Sequence, residues 1–319
     1  MGHTDTATRT QLALDRARLC VILNPGSGRK ESDALAAKLE QALAPRVAEY
    51  ALRVPPKGAQ LPDLAKQAVQ DGFDIIVAAG GDGTQSAVAG AVAGSGAVMG
   101  VIPGGTFNYF ARDLGVGETV DDALETLLGG QCRDIDVGDV NGLIFLNNIS
   151  FGAYPEILKT REDIYHRWGR SRVAAYWSVI KALARLRHPL HLTAQVAGQQ
   201  QHFNTALAFV AKSAFQLDTF GLEGADAIRQ GHFALLVARA RRPVPLIGAA
   251  FRLAFGLSAR NDDFDLICAD ETVIQTRSTS ELVAHDGEKT RMRGPFHLRV
   301  RHGALRVLAP ADPASQGVA

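Results

Sequence analysis

The feature that most constrains this chain is a glycine-rich turn between a short apolar segment and a segment of small residues. Residues 75–77 are apolar and β-branched, which is typical of a buried strand, and residues 86–92 are typical of a helix. Gly80-Gly81-Asp82-Gly83-Thr84 lies between them. A strand that turns directly into a helix presents unpaired N–H groups and the positive end of the helix dipole. Because glycine lets a phosphate approach the backbone, the turn predicts an anion site.

Two further apolar segments end in turns of glycine and small polar residues. Residues 19–23 lead into Asn24-Pro25-Gly26-Ser27-Gly28, and residues 98–102 lead into Pro103-Gly104-Gly105-Thr106-Phe107-Asn108. The first turn is not a Walker A loop, because no Gly-Lys-Ser/Thr follows at the required spacing. In a parallel sheet all three turns would lie at the carboxyl edge of the strands, where α/β proteins bind ligands. Together they predict a nucleotide site, although each turn alone is also compatible with an ordinary βα connection.

The character of the sequence changes after Asp139. Short, partly alternating apolar segments separated by turn residues are typical of an antiparallel β domain. They occupy residues 190–196, 205–211, 233–239, 264–268, 271–276, 282–284, 296–300 and 305–308. We therefore predict a nucleotide-binding α/β domain at residues 18–138, joined by the C-terminal segment from about 295 to 319, and a lipid-substrate β domain at residues 139–294. Residues 1–17 are predicted to form a disordered tail.

Composition and charge argue against several classes of protein. A net charge of +1 provides no overall field that would attract nucleic acid. Cys20, Cys132 and Cys268 lack metal-ligand spacing, which favours a reduced, cytoplasmic setting. The sequence has no stretch of about 20 apolar residues that would span a membrane, and the polar residues before Arg18 do not look like a signal peptide.

In their order and spacing, the three turns resemble the signatures of the diacylglycerol kinase and sphingosine kinase family of lipid kinases, in its bacterial form. The similarity continues through Phe145-Leu146-Asn147-Asn148-Ile149-Ser150-Phe151-Gly152 and ends in His285-Asp286-Gly287-Glu288, which resembles the late Asp-Gly-Glu motif of the family. NAD kinases and phosphofructokinases share the Gly-Gly-Asp-Gly motif more distantly. The resemblance implies an α/β N-terminal domain with a mainly parallel sheet, an antiparallel β-sandwich domain, and a nucleotide cleft between them.

The resemblance also implies an activity, namely ATP- and Mg²⁺-dependent transfer of a phosphoryl group to a hydroxyl of a diacylglycerol-like or sphingoid lipid. Asp82, Asp286 and Glu288 are the expected catalytic carboxylates, and Asp82 is also the expected ligand of the Mg²⁺ bound with ATP. By analogy with the family, one of the two late carboxylates is expected to take the proton from the lipid hydroxyl, and the sequence does not decide which. In sphingosine kinases the central-motif Asp, here Asp82, is also implicated, so all three carboxylates are candidates for the base. Asp286-Gly287 also favours a type I′ hairpin turn, which is compatible with that role. The expected ATP contacts are Asn24, Ser27, Gly28, Gly80, Gly81, Asp82, Gly83, Thr84, Gln85, Ser86, Thr106 and Asn108.

The chain departs from the family pattern at two places. Gln85-Ser86-Ala87 follows Thr84, where the family often has Asn and Glu. Arg229-Gln230-Gly231-His232 occupies the place where many bacterial members carry an Asp-Asp-Gly stretch close to a structural Mg²⁺. Because of this second departure, the sequence does not establish whether the structural Mg²⁺ site is retained. The departure does not affect the expectation that Mg²⁺ binds with ATP.

Two basic segments suggest contact with an anionic membrane. Residues 161–188 combine arginines with Trp168 and Trp177, and residues 239–260 combine arginines with an apolar stretch. Basic groups with interfacial aromatics suit a bilayer surface, while amphipathic helices with solvated arginines are the alternative. We therefore expect a lipid substrate and a cytoplasmic, peripherally membrane-associated enzyme. The oligomeric state is left open, with a homodimer as one of the states considered.

Two other functions are compatible with the nucleotide motifs. One is a soluble kinase of a small polar acceptor, similar to NAD kinase, which the basic aromatic segments and the late motif disfavour. The other is a nucleotide- or lipid-binding module without catalysis. The carboxylates at Asp82, Asp286 and Glu288 disfavour this second alternative.

Overall fold

The computed structural model describes residues 13–24, 29–55, 61–152, 190–196, 198–239 and 263–311. Contacts divide these residues into two compact units. Unit 1 contains the described residues up to Val137 and from His302 onward, and unit 2 contains those from Gly138 to Arg301. The basic segment 161–188, all of the segment 239–260 except Arg239, and both Ser27 and Gly28 lie outside the described residues.

Unit 1 is built on a parallel sheet with helices in its connections. Its elements are β1 Arg18–Leu23, α1 Arg29–Leu43, β2 Glu49–Arg53, α2 Leu61–Gln70, β3 Ile75–Gly80, α3 Asp82–Val92, β4 Val98–Pro103, α4 Tyr109–Asp113 and α5 Val120–Gly129, with 3₁₀ turns at Leu14–Arg16 and Ala44–Arg46. The strand order is β2-β1-β3-β4, and all three pairings are parallel. Strand β5, Gln131–Val140, leads from unit 1 into unit 2.

Burial explains why these segments become strands and helices. Every residue of β3 and β4 is buried, as expected for parallel strands with both faces covered. Helix α2 buries Ala65 and Ala68 and exposes its polar face. Helix α5 begins with a capping box, because Thr119 and Asp122 each accept a hydrogen bond from the other's backbone N–H.

Unit 2 contains two sheets, and its strand pairs of described register are antiparallel. Its further elements are β6 Leu143–Phe145, β7 Asn148–Gly152, β8 Leu190–Val196, β9 Gln199–Thr205, β10 Leu207–Ala211, α6 Ala214–Phe220, α7 Ala225–Arg229, β11 Phe233–Ala238, β12 Phe264–Ala269, β13 Glu271–Thr276, β14 Ser280–His285, β15 Glu288–Arg293 and β16 Phe296–Ala309. One sheet has the order β12-β11-β10-β7-β14-β15, and the other contains β16-β13-β8-β9. Strand β5 pairs with β16 of the second sheet, and β6 pairs with β5. Strand β16 ends in unit 1, where Val307 pairs in parallel with Met99 of β4.

The two sheets of unit 2 share one apolar core. Side chains of β7, β10, β11 and β14 pack with side chains of β8, β13 and β16. Phe151 and Phe296 meet edge to face across this core, with ring centroids 4.9 Å apart. The α/β domain with a mainly parallel sheet and the antiparallel β-sandwich are therefore both confirmed. Residues 296–300 and 305–308, expected to form separate strands, are parts of the single strand β16.

The short helices of unit 2 cover the other face of its first sheet. Leu217 of α6 and Ile228 of α7 pack in one cluster with Leu236 of β11, while Leu235 and Val237 of the same strand lie in the shared core. This alternation is the usual division of side chains between the two faces of a strand. Among the described residues, no helix combines the length and the apolar character needed to cross a membrane.

Candidate active site

The three glycine-rich turns of unit 1 follow adjacent strands and contact one another. Strands β1, β3 and β4 are neighbours in the sheet and run in parallel, so their carboxyl ends lie at one edge. The Asn24 side-chain N–H donates to Oγ1 of Thr84 at 2.9 Å. The Gly104 N–H donates to the carbonyl oxygen of Gly80 at 3.0 Å. The described parts of the turns therefore form one connected surface.

Close packing between the turns explains several of their glycines. A Cβ atom added at Gly105 would lie 2.7 Å from the Cα of Gly81, and one added at Gly80 would lie 2.6 Å from Oγ1 of Thr84. A side chain at Gly105 would push the second and third turns apart, and one at Gly80 would displace Thr84 within its own turn. Glycine is therefore required here for the packing of the turns, in addition to the access to backbone that the sequence predicts for a phosphate.

Helix α3 begins at Asp82 rather than at Ser86, so the expected start of this helix was wrong. The N–H groups of Thr84 and Gln85 donate to the carbonyl of Gly81 at 2.9 and 3.1 Å, which extends the helix back to the end of β3. Thr84, Gln85 and Ser86 are all buried. The Gln85 side chain donates to the carbonyl of Gly80 at 3.0 Å, so it stabilises the turn from the protein interior.

Asp82 is partly exposed at the start of α3 and also reaches α4. Its Oδ1 accepts a hydrogen bond from the Phe110 N–H at 3.3 Å. Asn108, just before α4, has a left-handed backbone with φ of 50°. Its side chain accepts from the Gly105 N–H at 2.7 Å and donates to the Gly105 carbonyl at 3.0 Å, which closes the third turn around the partly exposed Thr106. Backbone donors and one accessible carboxylate therefore meet at this edge of the sheet.

Two groups of carboxylates among the described residues are relevant to metal binding: Asp82 at the glycine-rich turns, and the acids near Arg229. No group of three or more His, Cys, Asp or Glu among them could hold a metal ion by itself. Mg²⁺ that accompanies a nucleotide needs only one or two carboxylates, because the phosphates supply other ligands, and Asp82 fits this use. Near the stretch where the family has its structural metal, Arg229 pairs with Asp226 at 2.9 Å and also with Asp218. One arginine therefore pairs with both of these acids.

In unit 2 the late Asp-Gly-Glu motif forms a tight hairpin turn between β14 and β15. Asp286 and Gly287 have φ of 45° and 87°, as a type I′ turn requires, and the expected hairpin is confirmed. Asp286 is 2% exposed. Its carboxylate accepts from the backbone N–H groups of residues 146–148, at 2.8, 2.7 and 3.1 Å. Glu288 is instead exposed at the start of β15, so the two late carboxylates have different surroundings.

Buried polar residues that contact Asn147 and Asn148 were missed by the sequence reasoning. The Asn148 side chain donates to Oε1 of Gln216 at 3.0 Å, and both residues are buried. Lys212 is also buried, and its backbone N–H donates to the carbonyl of Asn147 at 2.8 Å. Lysine is seldom buried in proteins. The sequence does contain two signals for these positions. Two consecutive asparagines, Asn147 and Asn148, stand at the start of the apolar strand β7, and Lys212 directly follows the apolar strand β10.

His285 is a further buried group next to this turn. Its Nε2 lies 3.2 Å from Oγ1 of Thr290 on the neighbouring strand. Burial lowers the pKa of His285, while the charge of Glu288 acts in the opposite direction. The neutral imidazole is therefore the form that the hairpin favours.

Known proteins are similar to this chain in sequence and in fold. Residues 18–140 match the profile of the diacylglycerol kinase catalytic domain. The chain is 37% identical over 147 residues to a diacylglycerol kinase of Bacillus subtilis strain 168, a match that covers 45% of this chain and 48% of that protein. It is 33% identical over 149 residues to a diacylglycerol kinase of Staphylococcus aureus strain Newman, with 44% and 46% covered. The chain thus spans about half the length of the curated relatives it matches.

The similarity of fold extends over most of the chain. A crystal structure of a diacylglycerol kinase from Bacillus anthracis strain Sterne matches with a TM-score of 0.70 at 20% identity, over 94% of this chain and 98% of that one. At this identity the match establishes the fold alone. The profile match shows that residues 18–140 are similar to the diacylglycerol kinase catalytic domain, and the resemblance predicted from the motifs is confirmed.

Proposed function

We propose that the protein is a lipid kinase that transfers the γ-phosphate of ATP to a hydroxyl of a diacylglycerol-like or sphingoid lipid. The observation that carries this proposal is the contact of the three glycine-rich turns around Asp82, within a diacylglycerol kinase-like domain. Phosphoryl transfer requires that the phosphates are held, that their charge is neutralised and that the acceptor hydroxyl is oriented. The two units offer different parts of this machinery.

Unit 1 offers the nucleotide side of the reaction. The N-terminus of α3 at Gly81 and Asp82 favours a phosphate through its backbone donors and its dipole. Asp82 is the residue that would hold Mg²⁺ bound with ATP, and this ion would neutralise phosphate charge. Thr84, Gln85 and Asn24 act in support, because their hydrogen bonds fix the shape of the turn.

Unit 2 offers the acceptor side. A lipid hydroxyl loses its proton as it attacks, and a positioned carboxylate accelerates this step. Asp286 and Glu288 are the two candidates. Asp286 is held firmly by three backbone N–H groups, whereas Glu288 is exposed and has more freedom. The proposal includes a cytoplasmic enzyme that binds peripherally to an anionic membrane, which is supported by the basic sequence of residues 161–188 and 239–260.

The test is transfer of label from γ-labelled ATP to a panel of acceptors containing diacylglycerol, sphingosine and NAD, followed by thin-layer chromatography. We expect label on diacylglycerol or sphingosine. Asp82→Asn should lower the rate by about 10²-fold or more, because it removes the carboxylate that would hold the Mg²⁺ bound with ATP or accept a proton. Asp63→Asn is the matched control, since Asp63 is an exposed acid in the first turn of α2 and should leave the rate unchanged.

The other two functions are outcomes of the same experiment. Label on NAD alone would identify a soluble small-molecule kinase and contradict the lipid assignment. No transfer to any acceptor, with ATP binding shown in a separate calorimetric measurement, would identify a non-catalytic nucleotide-binding module. If Asp82→Asn and Asp63→Asn changed the transfer rate equally, the glycine-rich turns would not be the site of the reaction.

A further inference from the structure

A pocket at the open end of the β14–β15 hairpin has no part in the proposed reaction. It has a volume of about 540 Å³ and is lined by Thr279, Ser280, Arg291, Arg293 and Gly294. Two guanidinium groups and two hydroxyl groups supply hydrogen-bond donors, and no carboxylate is among the lining residues. The chemistry of the lining therefore suits an anion.

The hairpin register places the two arginines side by side. Arg291 pairs with Leu282 and Arg293 pairs with Ser280, so both project from the same face of the hairpin, with a spacing of about 7 Å along the strand. Met292, which lies between them, packs against the apolar core of unit 2 and so marks the opposite face. Burial of Met292 thus fixes the direction of both arginines.

Within the described part of the chain, neither Arg291 nor Arg293 forms an ion pair. Two guanidinium groups held this close repel one another, and an anion between them would remove that repulsion. Arginine binds phosphate through its planar fork, and the bonds are charge-assisted. Arg277, which is exposed in the connection before β14, adds a further positive charge nearby along the chain.

We propose that this pocket is a binding site for a phosphate ester, separate from the Asp286 turn. The hairpin strands extend over residues 280–285 and 288–293, so Arg291 and Arg293 lie about 10 and 17 Å along the strand from the residue that follows the turn, Glu288. The phosphate can belong to a phospholipid headgroup or to a soluble phosphate ester, and both share the chemistry that the arginines recognise. The site does not depend on the proposed kinase activity.

A different explanation of the arginines is that they protect an edge strand. Strand β15 is the last strand of its sheet, and basic side chains on such strands hinder pairing with other chains. This explanation predicts association of a variant that lacks them, and no change in phosphate binding. The experiment therefore follows both properties.

The experiment compares Arg291→Gln/Arg293→Gln with Arg46→Gln/Arg133→Gln in the full chain. The control pair is exposed, lies in unit 1 and changes the net charge equally. One arm measures sedimentation with phosphatidylcholine vesicles with and without phosphatidylglycerol, and the other measures calorimetric binding of glycerol 3-phosphate. If the source is the lipid, binding to the anionic vesicles should weaken by about 30-fold in the hairpin variant, since each basic residue near the surface contributes several-fold.

Loss of vesicle binding in the hairpin variant alone supports the site with a lipid source, and loss of glycerol 3-phosphate binding alone supports it with a soluble source. Equal losses in the control variant would show a general charge effect and overturn the proposal. Unchanged binding in both arms would also overturn it, and association of the hairpin variant on size-exclusion chromatography would then favour edge protection. Neither arm measures phosphate transfer, so the result of this experiment is independent of whether the kinase proposal holds.

Discussion

Asp82 and Asp286 are both acids at glycine-containing turns, but the protein holds them differently. Asp82 follows a parallel strand, begins a helix and is partly exposed, with the Phe110 N–H as a donor at 3.3 Å. Asp286 lies in an antiparallel hairpin, is 2% exposed and accepts three N–H groups at 2.7 to 3.1 Å. Asp82 can therefore meet a ligand, whereas Asp286 also holds residues 146–148 in place.

Because of this difference, a substitution at Asp82 is expected to change activity without changing stability, whereas a substitution at Asp286 is expected to change both. A change at Asp82 alters an accessible group and leaves the buried bonds of Thr84 and Gln85 intact. A change at Asp286 leaves buried N–H groups unsatisfied, and each such group costs about 1–3 kcal/mol. Loss of activity at Asp286 alone therefore does not identify it as the base.

The largest expected effect is that of Asp286→Ala. It should lower the free energy of unfolding of unit 2 by about 3 kcal/mol or more, because three N–H groups lose their acceptor. Hydrogen exchange of the buried β7 amides measures this change, and the turnover should fall with it. Asp82→Asn is the comparison, with exchange in β3 close to that of the unchanged protein. Similar exchange in β7 before and after Asp286→Ala would show that the carboxylate does not anchor the loop.

The second prediction separates the two late carboxylates by their exposure. Since Glu288 is exposed, Glu288→Gln should leave stability and ATP affinity unchanged, yet lower turnover by about 10²-fold if this residue takes the proton. Single-turnover kinetics with an independent ATP-binding assay provide the measurement. Glu271→Gln, at an exposed acid on β13, is the control. Normal turnover of Glu288→Gln would exclude Glu288 and leave Asp286 and Asp82 as candidates for the base, and parallel loss of ATP affinity would make Glu288 a nucleotide contact.

The strands of the two units also differ in how far the sequence predicts them. β4 was expected at residues 98–102 and extends over Val98–Pro103, because a fully buried strand has a continuous apolar sequence. Strands β5, β6, β7, β9 and β15 were not predicted, and the last strands of the two sheets, β9 and β15, have an evident reason. Each is the last strand of its sheet and is mostly exposed. Their polar sequences, Gln199–Thr205 and Glu288–Arg293, therefore carry little of the alternation that marks a half-buried strand.

The candidate site shows the same limit. Glycine-rich turns are local signals, so the sequence indicated the turns around Asn24, Asp82 and Thr106. Asp286, in contrast, is held by residues about 140 positions earlier in the chain. No local pattern encodes such a contact. The start of α3 was misplaced for a related reason, because Gly83 suggests a turn while the bonds to the Gly81 carbonyl make a helix.

The smallest expected effect is a loss of stability at lower pH, which should occur at the Asp286 turn and not at the Asp82 turn. His285, next to Asp286, is buried, and burial lowers its pKa below the ordinary value of 6.5. The folded state therefore favours the neutral imidazole. Its stabilising contribution is complete above the ordinary pKa and is lost as the pH falls from that value toward the lowered pKa of the folded state, since the unfolded chain binds the proton more readily.

Acidification through this range should accelerate hydrogen exchange in β14 and β15, after correction for the intrinsic effect of pH, while β3 of unit 1 responds little. His285→Gln should remove the response of the hairpin, because no imidazole remains to be protonated. His302→Gln is the control, since His302 is exposed in unit 1. An equal response of β3 and the hairpin, or a hairpin response that persists in His285→Gln, would show that this titration does not distinguish the Asp286 turn from the Asp82 turn.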